Sequence, residues 1–385
     1  MKASVALGIT GFSLIAVTYG MARFSWGLML PAIMNDIPFS PRVAGVISAC
    51  SFAAYCLSTL CASVLAERFG PRLPAAAAAC CAAAGLMLLA LAFSPVMLAA
   101  GLFIAGLGSG LASPSLAAAV SRVISVTQQP LVNTVINAGS GAGIILSVPV
   151  LLYLPGGWRA ACTVFGIVAL ASLAPVICCL PGGRLNIRLG EKNRRETLLR
   201  RPVARLVIIA FASGMASAAW WSFGPDVLRH HSGVDENTAS MLWLVSGGAG
   251  ILGAMTGPMA TYAGLNQVYR ISQLFMAAPL LLLAFSHGFS WWFFPAVALC
   301  GAGYVTLTGV LLVCGTSAAQ DAPASGAGAV FFMLAAGQVA GSVVFGMLYT
   351  ETGAAFALTM FAVLSVLMTF YTPQKRYVDN EIPAR

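Results

Sequence analysis

Charged residues are scarce in this chain. Only 8% of its 385 residues are Asp, Glu, Lys or Arg, whereas 59% are hydrophobic. A typical soluble domain carries about 25% charged residues. So few charges cannot cover the surface of a soluble protein of this length, which excludes a soluble enzyme or binding module. The composition therefore predicts a membrane protein whose surface contacts lipid.

Sequence signals for metal, nucleotide and hydrolytic chemistry are also missing. The ten cysteines all fall within apolar runs, and none forms a CxxC pair or a metal-spaced cluster with histidine. The stretch GLGSGLAS at 106–113 lacks the preceding strand and the following acid of a dinucleotide site, and the chain contains no Walker motif. No Ser-His-Asp constellation is present. We therefore expect no metal, no cofactor and no enzymatic activity.

Acidic residues are nearly absent from the apolar runs. Of the eleven, only Asp226 touches such a run, and it does so at the end of the run. A proton-driven exporter of cationic drugs usually needs a carboxylate within the membrane, both to bind the cation and to carry the proton. The distribution of acids therefore disfavours that class of exporter.

What the sequence does contain is a series of long apolar runs. A membrane-spanning helix needs about 20 mostly apolar residues. Twelve runs meet this requirement, and we name them segments 1 to 12. Their predicted bounds are 5–33, 43–65, 74–94, 96–121, 131–154, 158–180, 204–226, 239–262, 268–287, 290–315, 326–349 and 353–371. The predicted fold class is an all-α membrane protein with twelve transmembrane helices.

A polar, basic stretch divides these segments into two sets of six. The predicted organisation is an N-terminal six-helix bundle at 1–180, a cytoplasmic basic linker at 181–203, a C-terminal six-helix bundle at 204–372 and a cytoplasmic tail at 373–385. Placing the N-terminus inside puts sixteen of the twenty Lys and Arg residues on the cytoplasmic side. The positive-inside rule then predicts that both termini are cytoplasmic, in the inner membrane. This bias also accounts for the net charge of +9 without a nucleic-acid partner.

An internal repeat supports the division into halves. SVLAERFGPR, between segments 2 and 3, aligns without gaps with GPMATYAGLN, between segments 8 and 9, so that Gly70 falls on Gly264. The same offset places Pro31 of segment 1 on Pro225 of segment 7. The shared offset predicts two related six-helix halves, an architecture typical of transporters.

Arg23 lies in the apolar stretch VTYGMARFSWGLML at 17–30. A charge near the bilayer centre costs about 2.5 kcal/mol or more, so it normally faces the protein interior or water. It could attract an anionic group of a substrate, or it could be structural, by snorkelling or by pairing with backbone carbonyls. Tyr19 and Trp26 share its face at helical spacing.

The turn between segments 2 and 3 resembles the G-x-L-A-D-R-x-G-R-R signature of the major facilitator superfamily. The matching residues are Leu65, Ala66, Arg68, Gly70 and Arg72, while Ser63, Glu67 and Pro71 depart from the pattern. The pattern Y-G-x-x-R-F-x-x-G-L-x-L-P in segment 1 is similar to a poorly characterised bacterial subfamily of these permeases. The resemblance implies a gate formed by Glu67, Arg68, Gly70 and Arg72. The alternative is that these charges only mark the inner membrane boundary.

The same resemblance implies a central cavity surrounded by segments 1, 4, 7 and 10, with segments 2, 5, 8 and 11 beside it. The residues predicted to bind substrate there are Arg23, Tyr19, Trp26, Asn133, Asn137, Trp220, Trp221, Tyr304 and Gln338. Each polar side chain among the helices could instead hydrogen-bond one helix to the next.

The predicted function is a secondary transporter that moves a small organic solute by alternating access, and Arg23 favours a solute with an anionic group. Two alternatives stay open: an exporter of neutral or amphipathic compounds in which Arg23 is structural, and a membrane sensor that does not transport. The predicted partners are the small-molecule substrate, a coupling ion such as H⁺ and the lipid bilayer. A monomer suffices for this function.

Overall fold

The computed structural model describes residues 2–125, 127–183, 201–319 and 323–373, and the regular secondary structure of these residues is entirely helical. Ten of the helical stretches are long and apolar enough to cross a membrane. The predicted all-α, multi-pass membrane fold is therefore confirmed.

The helices follow the predicted segments closely. Those of segments 1–6 are Lys2–Ile15, Ala16–Phe24, Ser25–Asp36, Pro41–Phe69, Arg72–Ala90, Pro95–Val123, Gln129–Tyr153 and Gly157–Cys179. Those of segments 7–12 are Arg201–His230, Glu236–Ala249, Gly250–Met255, Thr256–Ala263, Leu265–Ala284, Phe293–Ala318, Pro323–Thr352 and Ala354–Met368.

Among the described residues, two of the twelve predicted segments, 8 and 12, are not among the ten helices that are long enough to span a membrane. Segment 8 is interrupted by a 3₁₀ turn at Gly250–Met255, in a glycine-rich stretch where the helix is intrinsically weak. The helix of segment 12, Ala354–Met368, has 15 residues. Both segments are helical, but neither forms the single continuous spanning helix that the apolar pattern predicted.

Segment 1 contains a π-helical stretch, Ala16–Phe24, between two α-helices. π-Helical turns are rare and occur frequently at functional sites. Gly20 allows this stretch to approach segment 5, because a Cβ at Gly20 would overlap the backbone of Gly143. Arg23 lies in the last turn of the stretch, so its neighbours do not follow the spacing of a regular α-helix.

The bundle has two ends, which we name by what lies there. At the linker face, Arg72 and Arg122 donate hydrogen bonds to the carbonyls of Leu180 and Gly183, where the described part of segment 6 ends. Segment 1 ends at Asp36 at the opposite end of the bundle, where a cavity opens between the two sets of segments. We call this end the vestibule face.

The two sets of segments contact each other mainly toward the vestibule face. The backbone N–H of Arg42 donates to Thr350 Oγ1 over 2.9 Å. Near the middle, the Cys56 thiol lies 3.7 Å from the Phe332 carbonyl. One apolar cluster contains residues of segments 1–6 and 7–12 together. Two others, which include Leu180 and Val268 near the linker face, each draw on one set alone. The apolar core is therefore continuous across the two sets at the vestibule face and divided at the linker face.

Candidate functional site

The Arg23 side chain is buried, with 7% of its surface exposed. Its Nη2 donates to Oε1 of Gln338, from segment 11, over 3.1 Å. Among the described residues this is its one hydrogen bond, no carboxylate pairs with it, and its Nε is buried without a partner. Arg23 therefore places a positive charge between the two sets of segments that no described acid neutralises.

Aromatic rings surround this guanidinium. Its Cζ lies 4.4 Å from the ring centroid of Tyr55 and 4.7 Å from that of Phe52. The rings of Phe24 and Tyr19 follow at 5.6 and 5.7 Å. Cation–π contacts of this kind contribute about 0.5–2 kcal/mol each, the larger values where water is excluded. The rings help to explain how a charge persists in an apolar interior.

Gln338 connects Arg23 to the other helices of the site. Its Nε2 lies 3.1 Å from the Tyr304 hydroxyl and 3.3 Å from Ser217 Oγ. On the other side of Arg23, the Tyr19 hydroxyl lies 2.8 Å from Ser113 Oγ of segment 4. The polar contacts thus reach segments 1, 4, 7, 10 and 11, the helices that the sequence resemblance places around or beside the cavity.

A tryptophan cluster adjoins this network. The ring of Trp221 packs against Phe24 at 4.9 Å, Tyr304 at 5.3 Å and Trp243 at 5.4 Å between centroids. Trp220 Nε1 instead donates to Ser246 Oγ of segment 8 over 2.9 Å. Of the predicted tryptophans, Trp221 is the one that contacts the rings next to Arg23.

Besides Trp220, three predicted residues lie outside the immediate surroundings of Arg23. Trp26 donates its N–H to Ser48 Oγ over 2.6 Å, within segments 1 and 2. Asn133 and Asn137 make no hydrogen bond to the described residues, and Asn137 is exposed. Asn137 is one helical turn before Gly141, which packs against segment 8, so the two asparagines continue that face toward the linker face. Their role in substrate binding stays a prediction.

The sequence does not predict Phe52, Tyr55 or Ser217 as site residues. Phe52 and Tyr55 are three residues apart in segment 2 and form one face of the helix, as any pair of core aromatics does. Nothing in the sequence distinguishes them from packing residues, because their contact with Arg23 depends on how segment 2 lies against segment 1.

The predicted gate motif is well defined at its turn. Gly70 ends the helix Pro41–Phe69 with a φ of +79°, a conformation that favours glycine. Arg72 Nε donates to the Leu180 carbonyl over 2.8 Å, and Arg68 is exposed. These contacts lie within segments 1–6, and the side chain of Glu67 is outside the described part of the structure. The gating role of the four residues stays a prediction.

A cavity of about 370 Å³ opens at the vestibule face between the two sets of segments. On one wall, Asp36 accepts hydrogen bonds from Trp158 Nε1 at 2.9 Å and from Arg159 Nη1 at 2.5 Å. On the other, Arg229 pairs with Glu236 at 3.4 Å. The cavity is thus polar and contains charges of both signs.

Comparisons with known proteins give a consistent result. The sequence profile of the Major Facilitator Superfamily matches residues 12–342. The solved structure of the nucleoside transporter NupG superposes with a TM-score of 0.74 at 16% identity, covering 96% of this chain and 98% of that one. A mutant form of NupG gives a TM-score of 0.79 at 14% identity with the same coverage. At such low identity the likeness shows the fold alone. The profile match confirms the family that the turn motif predicted, and the chain belongs to the major facilitator superfamily of membrane transporters.

Proposed function

We propose that this protein is a secondary transporter that carries a small organic solute with an anionic group across the inner membrane. In this proposal twelve helices form two six-helix halves, at 1–180 and 204–372, and both termini lie in the cytoplasm. The halves move about a central site by alternating access. The observation that carries the proposal is the buried Arg23 guanidinium between the halves, without a described acidic partner.

The charge of Arg23 favours an anionic ligand. A guanidinium has five N–H donors, and Gln338 takes one of them. The aromatic rings supply electron density but no carbonyl or carboxylate acceptor. A carboxylate could accept two N–H groups in parallel, the strongest arrangement that a guanidinium makes. An anion entering the site would therefore satisfy donors that the described protein groups leave free, and it would compensate the charge.

The contacts between the halves support alternating access. They join the halves from Arg42 and Thr350 at the vestibule face to Cys56 and Phe332 near the middle. Toward the linker face the apolar core is divided between the halves. This distribution favours a state in which the site is closed to the vestibule face and approached from the linker face. With the predicted orientation, that state faces the cytoplasm.

A neutral, ring-containing solute is the second candidate. The rings of Phe24, Trp221 and Tyr304, which are tilted against one another near Arg23, offer apolar faces on which another ring can pack. In this case Gln338 and the surrounding rings hold Arg23 as a structural charge. The likeness to a nucleoside transporter fits this candidate in fold only.

The two candidates are separated by uptake into proteoliposomes of matched solutes, each carboxylic acid paired with its uncharged amide. Every pair is measured with and without a pH gradient, for wild type, Arg23→Ala and Arg205→Ala. Arg205 is the control because its guanidinium also lies over an aromatic ring, with Cζ 4.5 Å from the ring centroid of Tyr371. Arg205 itself is on segment 7 near the linker face, away from the Arg23 site. A hydrogen bond to a charged group is worth about 1.5–3 kcal/mol, so Arg23→Ala should slow uptake of the acid about tenfold or more.

The control variant should carry the acid at close to the wild-type rate. Uptake of the amide at the rate of the acid, unchanged in Arg23→Ala, would contradict the anion proposal and support the neutral-solute candidate. Dependence on the pH gradient would show that protons are the coupling ion.

A further inference from the structure

Asp226 is a buried acid in the helix Arg201–His230 of segment 7. Its side chain is 2% exposed, whereas Asp36, Asp235, Glu236 and Glu351 are all exposed. An isolated carboxylate is costly to bury in a membrane protein, and such residues usually belong to ion or proton pathways. Asp226 is not part of the Arg23 network, so the proposed substrate site does not explain it.

His230 joins this buried carboxylate to the surface. Its Nδ1 lies 2.9 Å from Asp226 Oδ1, one helical turn away, and its side chain is 49% exposed. Histidine is the side chain that changes charge most readily near neutral pH. The pair therefore gives a buried acid a titratable contact with water at the vestibule face.

The other groups that face the pair leave the Asp226 charge uncompensated. From segment 11, the Tyr349 hydroxyl interacts with the Asp226 carboxylate. Arg229, on the same helix, pairs with Glu236 of segment 8 at 3.4 Å. His231, the next residue along, has a buried Nε2 without a partner among the described residues. Arg229, the fixed cation three residues along the helix, is thus paired with Glu236, and among the described residues His230 is the one cationic group that pairs with Asp226.

We propose that Asp226 and His230 form the proton-binding site through which this transporter responds to pH. A proton from water binds His230 Nε2, and the proton on Nδ1 passes to Asp226 Oδ1. This leaves a neutral imidazole and a neutral carboxylic acid. The reverse steps return the proton to the same water. The inference rests on membership of a transporter family and not on the anionic nature of the solute.

Segment 7 connects this pair to the central site. Ser217 and Trp221 lie nine and five residues before Asp226 on one helix, or about 14 and 8 Å along its axis at 1.5 Å per residue. Pro225, next to Asp226, lines the vestibule cavity between the halves. Gain or loss of a proton changes the charge of the Asp226–His230 pair beside this cavity, and in this way pH acts on the contact between the halves.

The test is a pH titration of tryptophan fluorescence in purified, solute-free protein between pH 5 and 8. Trp291 and Trp292, which are exposed, are replaced by phenylalanine so that the signal comes from the buried tryptophans, including Trp221. The variants Asp226→Asn and His230→Gln are compared with His231→Gln, a matched change one residue away.

We expect a single transition in the background protein and in His231→Gln, and its loss in Asp226→Asn. His230→Gln should shift the midpoint by about one pH unit or more, the coupling that defines a pair titrating together. Tyr349→Phe keeps the ring and removes the hydroxyl, and it should also shift the midpoint of the transition. This variant serves as the second test if Asp226→Asn does not fold.

The proposal is overturned if the background protein shows no transition, or if the variants at 226, 230 and 349 titrate as His231→Gln does. Because no solute is present, failure of the anion proposal leaves this result unaffected.

Discussion

Gly346 lies where segment 11 crosses segment 2 near the vestibule face, and replacing it should change which face of the protein is open. A Cβ at Gly346 would lie 2.5 Å from the Pro41 carbonyl oxygen and 3.2 Å from the Gly45 Cα. Both are backbone atoms, which cannot rotate away as a flexible side chain can. Gly346→Leu therefore cannot fit the described state without moving the two helices apart.

The size of the effect follows from the overlap. Inserting extra methylene groups into a packed interface costs about 1–3 kcal/mol. If the overlap is relieved when the vestibule face opens in the proposed alternating-access cycle, this energy moves the equilibrium between the two proposed states about 5–150-fold toward the vestibule-open state. Transport, which must pass through the vestibule-closed state, should slow accordingly.

The assay is the distance between spin labels at Asn35, which lines the vestibule cavity, and at Asn237, which follows the lining residue Glu236 on the other set of segments. The exposed native cysteines are first replaced by serine. Gly328→Leu is the control, because it lies on the same helix and a Cβ there meets no atom within 4 Å. We expect a longer distance population in Gly346→Leu and the wild-type distribution in Gly328→Leu. The same distribution in both variants would refute the inference that segments 2 and 11 close the vestibule face.

Three further predictions follow from individual contacts. Gln338→Glu places a carboxylate within reach of the Arg23 guanidinium. This carboxylate competes with the solute through a charge-assisted hydrogen bond of about 1.5–3 kcal/mol, so anion uptake should fall about tenfold or more. Undiminished uptake would contradict this prediction. Asp235→Ala removes the cap of the helix Glu236–Ala249, where Asp235 Oδ2 accepts from the Thr238 N–H at 3.0 Å, and should cost about 1 kcal/mol of stability. That hydrogen bond lowers the pKa of Asp235. The stabilisation by the cap is therefore complete above the ordinary aspartate pKa of about 4 and is lost as pH falls through the lowered value. If the difference in thermal unfolding temperature between wild type and variant instead grows in acid, the prediction is wrong. Arg159→Ala breaks an ion pair with Asp36, and the two side chains are 40% and 48% exposed. The free energy of unfolding should therefore change by less than about 1 kcal/mol, and the change should depend on salt. A large loss of unfolding temperature that does not depend on salt would contradict this prediction.

The fold was largely predictable from the sequence because the apolar runs are long and the breaks between them are sharp. Segment 8 is the instructive exception. Its apolar pattern predicts one continuous helix, but the glycines at 247, 248, 250 and 253 weaken helix propagation, and a 3₁₀ turn forms at Gly250–Met255. The glycines were visible in the sequence, whereas the choice between a straight and an interrupted helix depends on packing against segment 10.

The site was predictable in part. Arg23 stands out because a charge in an apolar run needs a reason, and Gln338 and Tyr304 are polar residues on helices that the family places near the cavity. Tyr55 could not be found in this way, because an aromatic residue in segment 2 has no feature that reveals its 4.4 Å approach to the guanidinium. The π-helical stretch that carries Arg23 also lacks a sequence signature. It alters the spacing on which the grouping of Arg23 with Trp26 relied, and Trp26 instead contacts Ser48.

The central claim is that Arg23 binds an anionic group of the solute. Its most direct test is the equilibrium dissociation constant of the best-carried carboxylic acid and of its matched amide, for wild type and Arg23→Ala. We predict that wild type binds the acid about tenfold or more tighter than the amide, as expected for the loss of a hydrogen bond to a charged group, and that Arg23→Ala binds the two alike. An unchanged preference for the acid in Arg23→Ala would contradict the claim and would place the anion site elsewhere in the protein.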